Sequence, residues 1–226
     1  MIKNKKIFIA CDTTNINKVK KIIKLTETKK LKIGYKFGLE FLNSKNGRSF
    51  INKLKNKTTF IDLKLNDIPN TIKSAIKALK DLRANYITVH INSGLEALKA
   101  AKKISGRSKI VGVTTLTSLN NKNLVELGYN KSVKNLVLLQ AKIAKKANLD
   151  AIVCSPHEVK IARKIFKKEI ITPGIRLNSK SGDQKRVSSP KDALFNKKSD
   201  WIVIGRSITS GNIKKNIKNL ITHLNS

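Results

Sequence analysis

The strongest constraint on the fold is an alternation of short apolar segments with longer amphipathic ones along the whole chain. The apolar segments, rich in Ile, Val and aromatic residues, indicate β-strands, and a segment with apolar residues at helical spacing follows each of them. The predicted strands are residues 7–10, 31–37, 58–65, 86–91, 109–115, 151–154, 170–172 and 201–204. Strands that alternate with helices form parallel sheets. Eight such units in 226 residues predict a (β/α)8 TIM barrel, as a single domain over residues 1–226.

An open, doubly wound parallel sheet is the alternative architecture. The first strand is not followed by the G-x-G-x-x-G pattern of dinucleotide-binding sheets, which favours the barrel. Two prolines indicate where helices begin. Pro69 is predicted at the start of the helix after the third strand. After the sixth strand, Ser155 is predicted to cap a helix that has Pro156 at its first position and ends near residue 167.

The third predicted strand carries the densest group of charged residues. Side chains alternate between the two faces of a strand, so Asp62 and Lys64 are predicted to point the same way, with Leu63 on the other face. Asp67 follows just after the strand. A structural ion pair between Asp62 and Lys64 and a catalytic group are both consistent with this spacing.

Other polar residues follow the ends of most predicted strands. In a β/α barrel the active site lies at the C-terminal ends of the strands, so these residues are the candidates for the site. They are Asp12, Lys36, Asp62, Lys64, Asp67, His90, Thr117, Arg176 and Arg206. His90 is predicted to be a structural residue at a strand end.

The loops after the seventh and eighth strands have the composition of a phosphate site. Many β/α barrels bind phosphate with these two loops. Gly174 and Gly205 allow close approach of the backbone, and Arg206 offers two parallel donors. The long polar segment from 174 to 189, which includes Gln184, is predicted to be a lid or binding loop.

Composition narrows the class of protein. Lys and Arg number 48 against 14 acidic residues, a net charge of +34, which would ordinarily suggest a nucleic-acid partner. The lysines are spread over every predicted helix and aromatic residues make up 5%, so no specific nucleic-acid partner is predicted.

No signal peptide or membrane-spanning run is evident, which predicts a cytoplasmic protein without a membrane partner. Cys11 and Cys154 are predicted to be buried, and no Cys/His spacing indicates a metal site.

The third-strand string D-L-K-L-N-D-I-P-N-T, residues 62–71, resembles the signature of the orotidine 5'-phosphate decarboxylase family. Further motifs similar to that family are I-A-C-D at 9–12, Y-K-F-G-L-E at 35–40, L-T-S at 116–118, T-P-G-I-R at 172–176 with G-D-Q at 182–184, and V-I-G-R-S-I-T at 203–209. The chain departs from the usual pattern at Asn66, where His is common, at Ser207, where Pro is common, and at Cys11, where Leu is more frequent.

This resemblance implies decarboxylation of orotidine 5'-phosphate to UMP, the last step of pyrimidine nucleotide synthesis, without a metal or organic cofactor. It implies that Lys64 stabilises the carbanion and protonates it, beside the carboxylates of Asp62 and Asp67. It also implies a homodimer in which Asp67 acts in the partner's site. The substrate-binding residues that it implies are Asp12, Lys36, Asp62, Thr71, Thr117, Arg176, Gln184, Gly205 and Arg206.

Two other functions stay open on the sequence. Hexulose-phosphate synthase, a related magnesium-dependent enzyme, shares the D-x-K-x-x-D spacing, although I-P-N-T after Asp67 and the P-G-I-R segment favour the decarboxylase. A basic nucleic-acid-binding protein is the alternative from another class, and the scattered lysines argue against it.

Overall fold

The computed structural model describes residues 2–177 and 187–226, and these residues contain a closed barrel of eight parallel strands. Each strand pairs with the next one along the chain, and β8 pairs with β1. The strands are β1 Lys6–Ala10, β2 Lys32–Gly38, β3 Thr58–Leu65, β4 Tyr86–His90, β5 Lys109–Val113, β6 Ala151–Val153, β7 Glu169–Thr172 and β8 Trp201–Ile204. The predicted (β/α)8 TIM barrel is confirmed.

Helices connect the strands and surround the barrel. They are α1 Ile16–Thr26, α2 Leu39–Leu42, α3 Gly47–Lys53, α4 Pro69–Ala78, α5 Leu95–Ile104, α6 Asn121–Glu126, α7 Val133–Lys146, α8 Val159–Ile165, α9 Arg206–Thr209 and α10 Ile213–Asn225. Several helices begin at a side-chain cap, in which a short polar side chain accepts a hydrogen bond from the backbone N–H three residues further on. These caps are Asn15, Asn120, Ser132 and Asn212. As predicted, Pro69 is the first residue of α4.

The predicted start of α8 is wrong. The helix begins at Val159, and Pro156 lies in a turn before it. The Ser155 hydroxyl accepts a hydrogen bond from the N–H of His157 at 3.3 Å, two residues on, so it stabilises the turn and not the first turn of the helix. The short helices α2 and α9 were not predicted, because four residues are too few to show a helical period.

Apolar side chains form two layers. One layer fills the barrel interior below the C-terminal rim, where the Phe8 and Trp201 rings stack with centroids 4.0 Å apart and Phe60 and Tyr86 meet them at steeper angles. The other layer lies between the strands and the helices. Because aromatic rings fill the lower interior, open space remains at the C-terminal ends of the strands.

The N-terminal end of the barrel is closed by an ion cluster around Glu169. Its carboxylate lies 3.0 Å from the Lys6 ammonium and 2.8 Å from the Lys109 ammonium, and it accepts a hydrogen bond from the Tyr86 hydroxyl at 2.9 Å. In the described part of the chain, no helix is long and apolar enough to cross a membrane.

Candidate active site

A cavity of about 470 Å³ opens at the C-terminal ends of the strands. Its floor and walls combine apolar and charged side chains from most of the strands. The lining residues are Ala10, Asp12, Lys36, Phe60, Asp62, Lys64, Val113, Thr117, Val153, Pro173, Gly174, Arg176, Val203, Gly205 and Arg206. Seven of the nine polar residues predicted at strand ends therefore meet at one place, and Asp67 and His90 are the two that do not line it. The apolar lining was not predicted as part of the site, because single Val and Ala residues in strands do not differ from ordinary core positions.

Four charged side chains of alternating sign form a continuous row in the cavity. The Lys36 ammonium lies 3.2 Å from Asp12 and 3.4 Å from Asp62. The Lys64 ammonium lies 3.0 Å from the same Oδ2 atom of Asp62. Two cations therefore share one carboxylate oxygen, and Lys64 is the end of the row.

The environment favours the charged forms of the two inner members of this row. Burial alone would lower the pKa of Lys36, but the charges of Asp62 and Asp12 and their hydrogen bonds outweigh it and raise that pKa. Burial alone would raise the pKa of Asp62, but Lys36, Lys64 and hydrogen bonds from Lys64 and Thr88 hold it below its ordinary value. Lys36 and Asp62 are therefore both held in their charged forms at fixed positions in the cavity.

The strand that carries Lys64 is not regular at this point. β3 pairs with β4 in register at Ile61, and pairing resumes at Leu65 after a shift. Lys64 has a φ of 51°, in the left-handed region that residues other than glycine rarely adopt. The backbone is therefore irregular here, but the predicted faces are confirmed, because Asp62 and Lys64 line the cavity and Leu63 packs against the outer apolar layer.

The other side of the predicted site comes from the segments after β7 and β8. Gly174 has a φ of 77°, a conformation that glycine adopts without strain, and it leads into Arg176. Gly205 follows β8 directly, and Arg206 begins α9. Both arginines line the cavity that contains Lys64.

Some predicted site residues do not lie in this cavity. Asp67 and Thr71 are exposed and line no part of it, and the Asp67 carboxylate accepts a hydrogen bond from the N–H of Ile68 at 2.7 Å. Gln184 lies outside the described residues. His90 accepts a hydrogen bond through Nδ1 from the N–H of Asn92 at 3.3 Å, and burial, with the Lys64 charge, lowers its pKa.

Within residues 2–177 and 187–226, no three His, Cys, Asp or Glu side chains lie close enough together to bind a metal ion. Both cysteines are buried, as predicted.

A model of the family described as "Orotidine 5'-phosphate decarboxylase / HUMPS family" matches residues 5–218. The chain belongs to this family. An orotidine 5'-phosphate decarboxylase from Wolbachia sp. subsp. Brugia malayi (strain TRS) is 41% identical over 225 residues, which cover 95% of this chain and 96% of the relative. One from Malacoplasma penetrans (strain HF-2) is 39% identical over 219 residues, 92% of this chain and 93% of that one. The predicted membership of an enzyme family is thereby confirmed.

Solved structures of the decarboxylase family share the fold. The crystal structure of orotidine 5'-phosphate decarboxylase from Lactobacillus acidophilus superposes with a TM-score of 0.82 at 32% identity, covering 98% of this chain and 100% of that one. The enzyme from Methanocaldococcus jannaschii, complexed with the inhibitor BMP, gives a TM-score of 0.77 at 25% identity over 98% and 99% of the two chains. The likeness extends over the barrel as a whole.

Proposed function

We propose that this protein decarboxylates orotidine 5'-phosphate to UMP and carbon dioxide. The observation that carries the proposal is that the Lys64 ammonium, paired with Asp62, shares one cavity with Arg176 and Arg206. Four cationic side chains and two carboxylates line this cavity, so its charge suits an anionic ligand. The relatives named above carry the name of the same enzyme.

Lys64 does the chemistry in this proposal. Loss of carbon dioxide leaves an electron pair on carbon six of the pyrimidine, where the ring delocalises it poorly. The Lys64 ammonium stabilises the developing carbanion and then transfers a proton to that carbon, which gives UMP. Charge that is fixed in place before the reaction is commonly the largest catalytic contribution. Asp62, held ionised by its two lysines, keeps Lys64 paired, and in this proposal its negative charge repels the carboxylate that leaves.

Other predicted site residues bind the substrate. Asp12 and Lys36 hold the ribose hydroxyls, and Thr117 contacts the pyrimidine. The phosphate is bound by the group Arg176, Gln184, Gly205 and Arg206. Guanidinium groups suit phosphate because they donate two parallel hydrogen bonds to its oxygens. The phosphate is remote from carbon six, so its binding energy can be used to order the site.

The proposal includes a homodimer in which Asp67 and Thr71 act in the partner's cavity. Both residues are exposed and away from the cavity of their own chain. Between them, the large apolar side chain of Ile68 is 66% exposed, which suits a surface that a second chain covers. A cytoplasmic location and a role in pyrimidine nucleotide synthesis are parts of the same proposal.

The test is the fall in absorbance when the purified protein meets orotidine 5'-phosphate in the presence of EDTA. We expect turnover, and we expect Lys64→Ala to abolish it while the barrel still folds. Lys99→Ala is the matched control, because Lys99 forms an exposed ion pair with Glu96 on α5. Near-normal turnover by Lys64→Ala would contradict the role of Lys64. Activity that EDTA removes, on a hexulose-phosphate substrate, would favour the synthase instead.

A further inference from the structure

The irregular end of β3 brings several residues opposite a single residue of β4. Pairing runs from Ile61 with Ile87 to Leu65 with Val89, so Asp62, Leu63 and Lys64 together face Thr88. The two extra residues displace the chain from the regular ladder. Lys64, with its φ of 51°, takes up this displacement.

The Thr88 hydroxyl holds this irregular segment by two hydrogen bonds. It accepts a hydrogen bond from the backbone N–H of Lys64 at 2.7 Å. It donates one to Oδ1 of Asp62 at 3.2 Å. Thr88 is fully buried, so no solvent molecule replaces the hydroxyl in either role without a change in packing.

The two oxygens of the Asp62 carboxylate therefore have different partners. Oδ1 is occupied by Thr88, and Oδ2 faces the ammonium groups of Lys64 and Lys36 at 3.0 and 3.4 Å. Rotation of the carboxylate would break the Thr88 bond. The hydroxyl therefore fixes both the direction of Asp62 and the backbone from which the Lys64 side chain extends.

A lysine whose backbone is in the left-handed region needs stabilising contacts of this kind. For a residue with a Cβ this conformation is unfavourable, and it persists where surrounding contacts determine it. Strained residues of this kind concentrate at sites where geometry matters for function. Here the strain falls on the residue with the ammonium at the end of the charged row.

We propose that Thr88 is a positioning residue that sets the geometry of Lys64 and Asp62 for proton transfer to carbon six. This inference rests on the proposed decarboxylation. Thr88 lines no part of the cavity and touches no substrate in this scheme. It acts through the two groups that it bonds, so its loss affects the chemical step more than substrate binding.

The test compares Thr88→Val with Thr88→Ser. Valine keeps the shape and removes the hydroxyl, so we expect kcat to fall at least about tenfold while KM changes less than about twofold. Serine restores the hydroxyl, and we expect it to recover most of kcat. Carbon NMR of the Asp62 carboxyl group gives a second readout on the free protein. Its pKa should rise in Thr88→Val, because a hydrogen bond to the charged form is lost.

Thr26→Val is the matched control for lost stability. Thr26 is also fully buried, and its hydroxyl donates to the Ile22 carbonyl at 2.8 Å, but it lies at the end of α1 and lines no part of the cavity. We expect it to lower the melting temperature without lowering kcat. A Thr88→Val enzyme with wild-type kcat and an unshifted Asp62 pKa would overturn the inference. A wild-type protein that does not decarboxylate the substrate would overturn the proposed function, and the Asp62 titration would still report on Thr88.

Discussion

In the proposed reaction, the positive charge of Arg206 binds the phosphate group, which is remote from the reacting carbon. We expect Arg206→Ala to raise KM for orotidine 5'-phosphate at least about tenfold, with a smaller fall in kcat, because a charge-assisted phosphate contact contributes to binding before and during the reaction. Steady-state kinetics over a range of substrate concentrations measure both constants.

Arg107→Ala is the control for a general loss of positive charge. Arg107 is exposed in the turn before β5, at the opposite end of the barrel from the cavity. We expect the kinetic constants of the Arg107→Ala enzyme to match those of the wild type. If kcat/KM were unchanged in Arg206→Ala, Arg206 would not belong to the phosphate site.

Single residues show what the sequence could predict about the site. Asp12, Lys36, Asp62, Lys64, Thr117, Arg176 and Arg206 were predicted because charged or polar groups at strand ends stand out against apolar strands. Thr88 was missed because threonine is common in strands and needs no functional explanation. A signal was present in β4. Thr88 and His90 are two residues apart on this strand, so the Thr88 side chain points to the same face of the sheet as the polar residue at the strand end. The hydrogen bond that Thr88 accepts from the Lys64 N–H depends on a bulge that no local pattern indicated.

At the scale of elements, the Glu169 cluster joins the first residues of β1, β4, β5 and β7 at the bottom of the barrel. The carboxylate binds two lysines and Tyr86, and its side chain is 17% exposed. Burial alone would raise its pKa, but the hydrogen bonds from Lys109, Lys6 and Tyr86 outweigh it and hold the pKa below the ordinary value of 4.5.

The lowered pKa of Glu169 predicts how the stability of the barrel depends on pH. A carboxyl group whose pKa is lower in the folded than in the unfolded state contributes stability above the unfolded value, and the contribution is lost as pH falls through the folded value. We therefore expect Glu169→Gln to reduce the free energy of unfolding by about 1.5 to 3 kcal/mol at neutral pH, since hydrogen bonds to a charged group are lost. The difference from wild type should shrink as pH falls below the ordinary value of 4.5. Urea unfolding at a series of pH values measures it.

Glu126→Gln tests whether any lost carboxylate gives the same result. Glu126 ends α6, is exposed, and accepts a hydrogen bond from the Asn123 side chain. We expect less than about 1 kcal/mol at any pH, because exposed polar contacts contribute little. A Glu169→Gln effect that stayed constant down to acid pH would mean that packing, and not charge, carries it.

Elements with a full period were predicted well, and short or irregular ones were not. β3 and β8 have the predicted bounds, and α4 begins at Pro69 as predicted, because apolar spacing and turn residues agree there. The helix after β6 starts at Val159 because the Ser155 hydroxyl and Pro156 suit a turn as well as a helix start. The choice between them depends on the packing of α8 against α7 and β7, which local sequence does not contain.

At the scale of the whole molecule, the barrel follows from the sequence, whereas the cavity in which Asp67 acts does not. Eight strand–helix units can close into a barrel with the polar strand ends on one rim. Asp67 belongs to the same sequence string as Lys64, yet it is exposed outside the cavity. Which surface would meet a second copy in the proposed dimer depends on shape and symmetry, and these are properties of the folded molecule.

Mixed dimers test whether Asp67 acts in the partner's site. Lys64→Ala and Asp67→Ala are each expected to be inactive alone. If each site combines Lys64 of one chain with Asp67 of the other, a mixed dimer contains one intact site, and random pairing restores about a quarter of wild-type activity. The two variants are unfolded and refolded together, and turnover is compared with that of each variant refolded alone. Lys64→Ala mixed with Lys64→Asn is the control, which should stay inactive because neither chain supplies the ammonium. If Asp67 acted within its own chain, every site of the mixed dimer would carry one defect, and no activity would return.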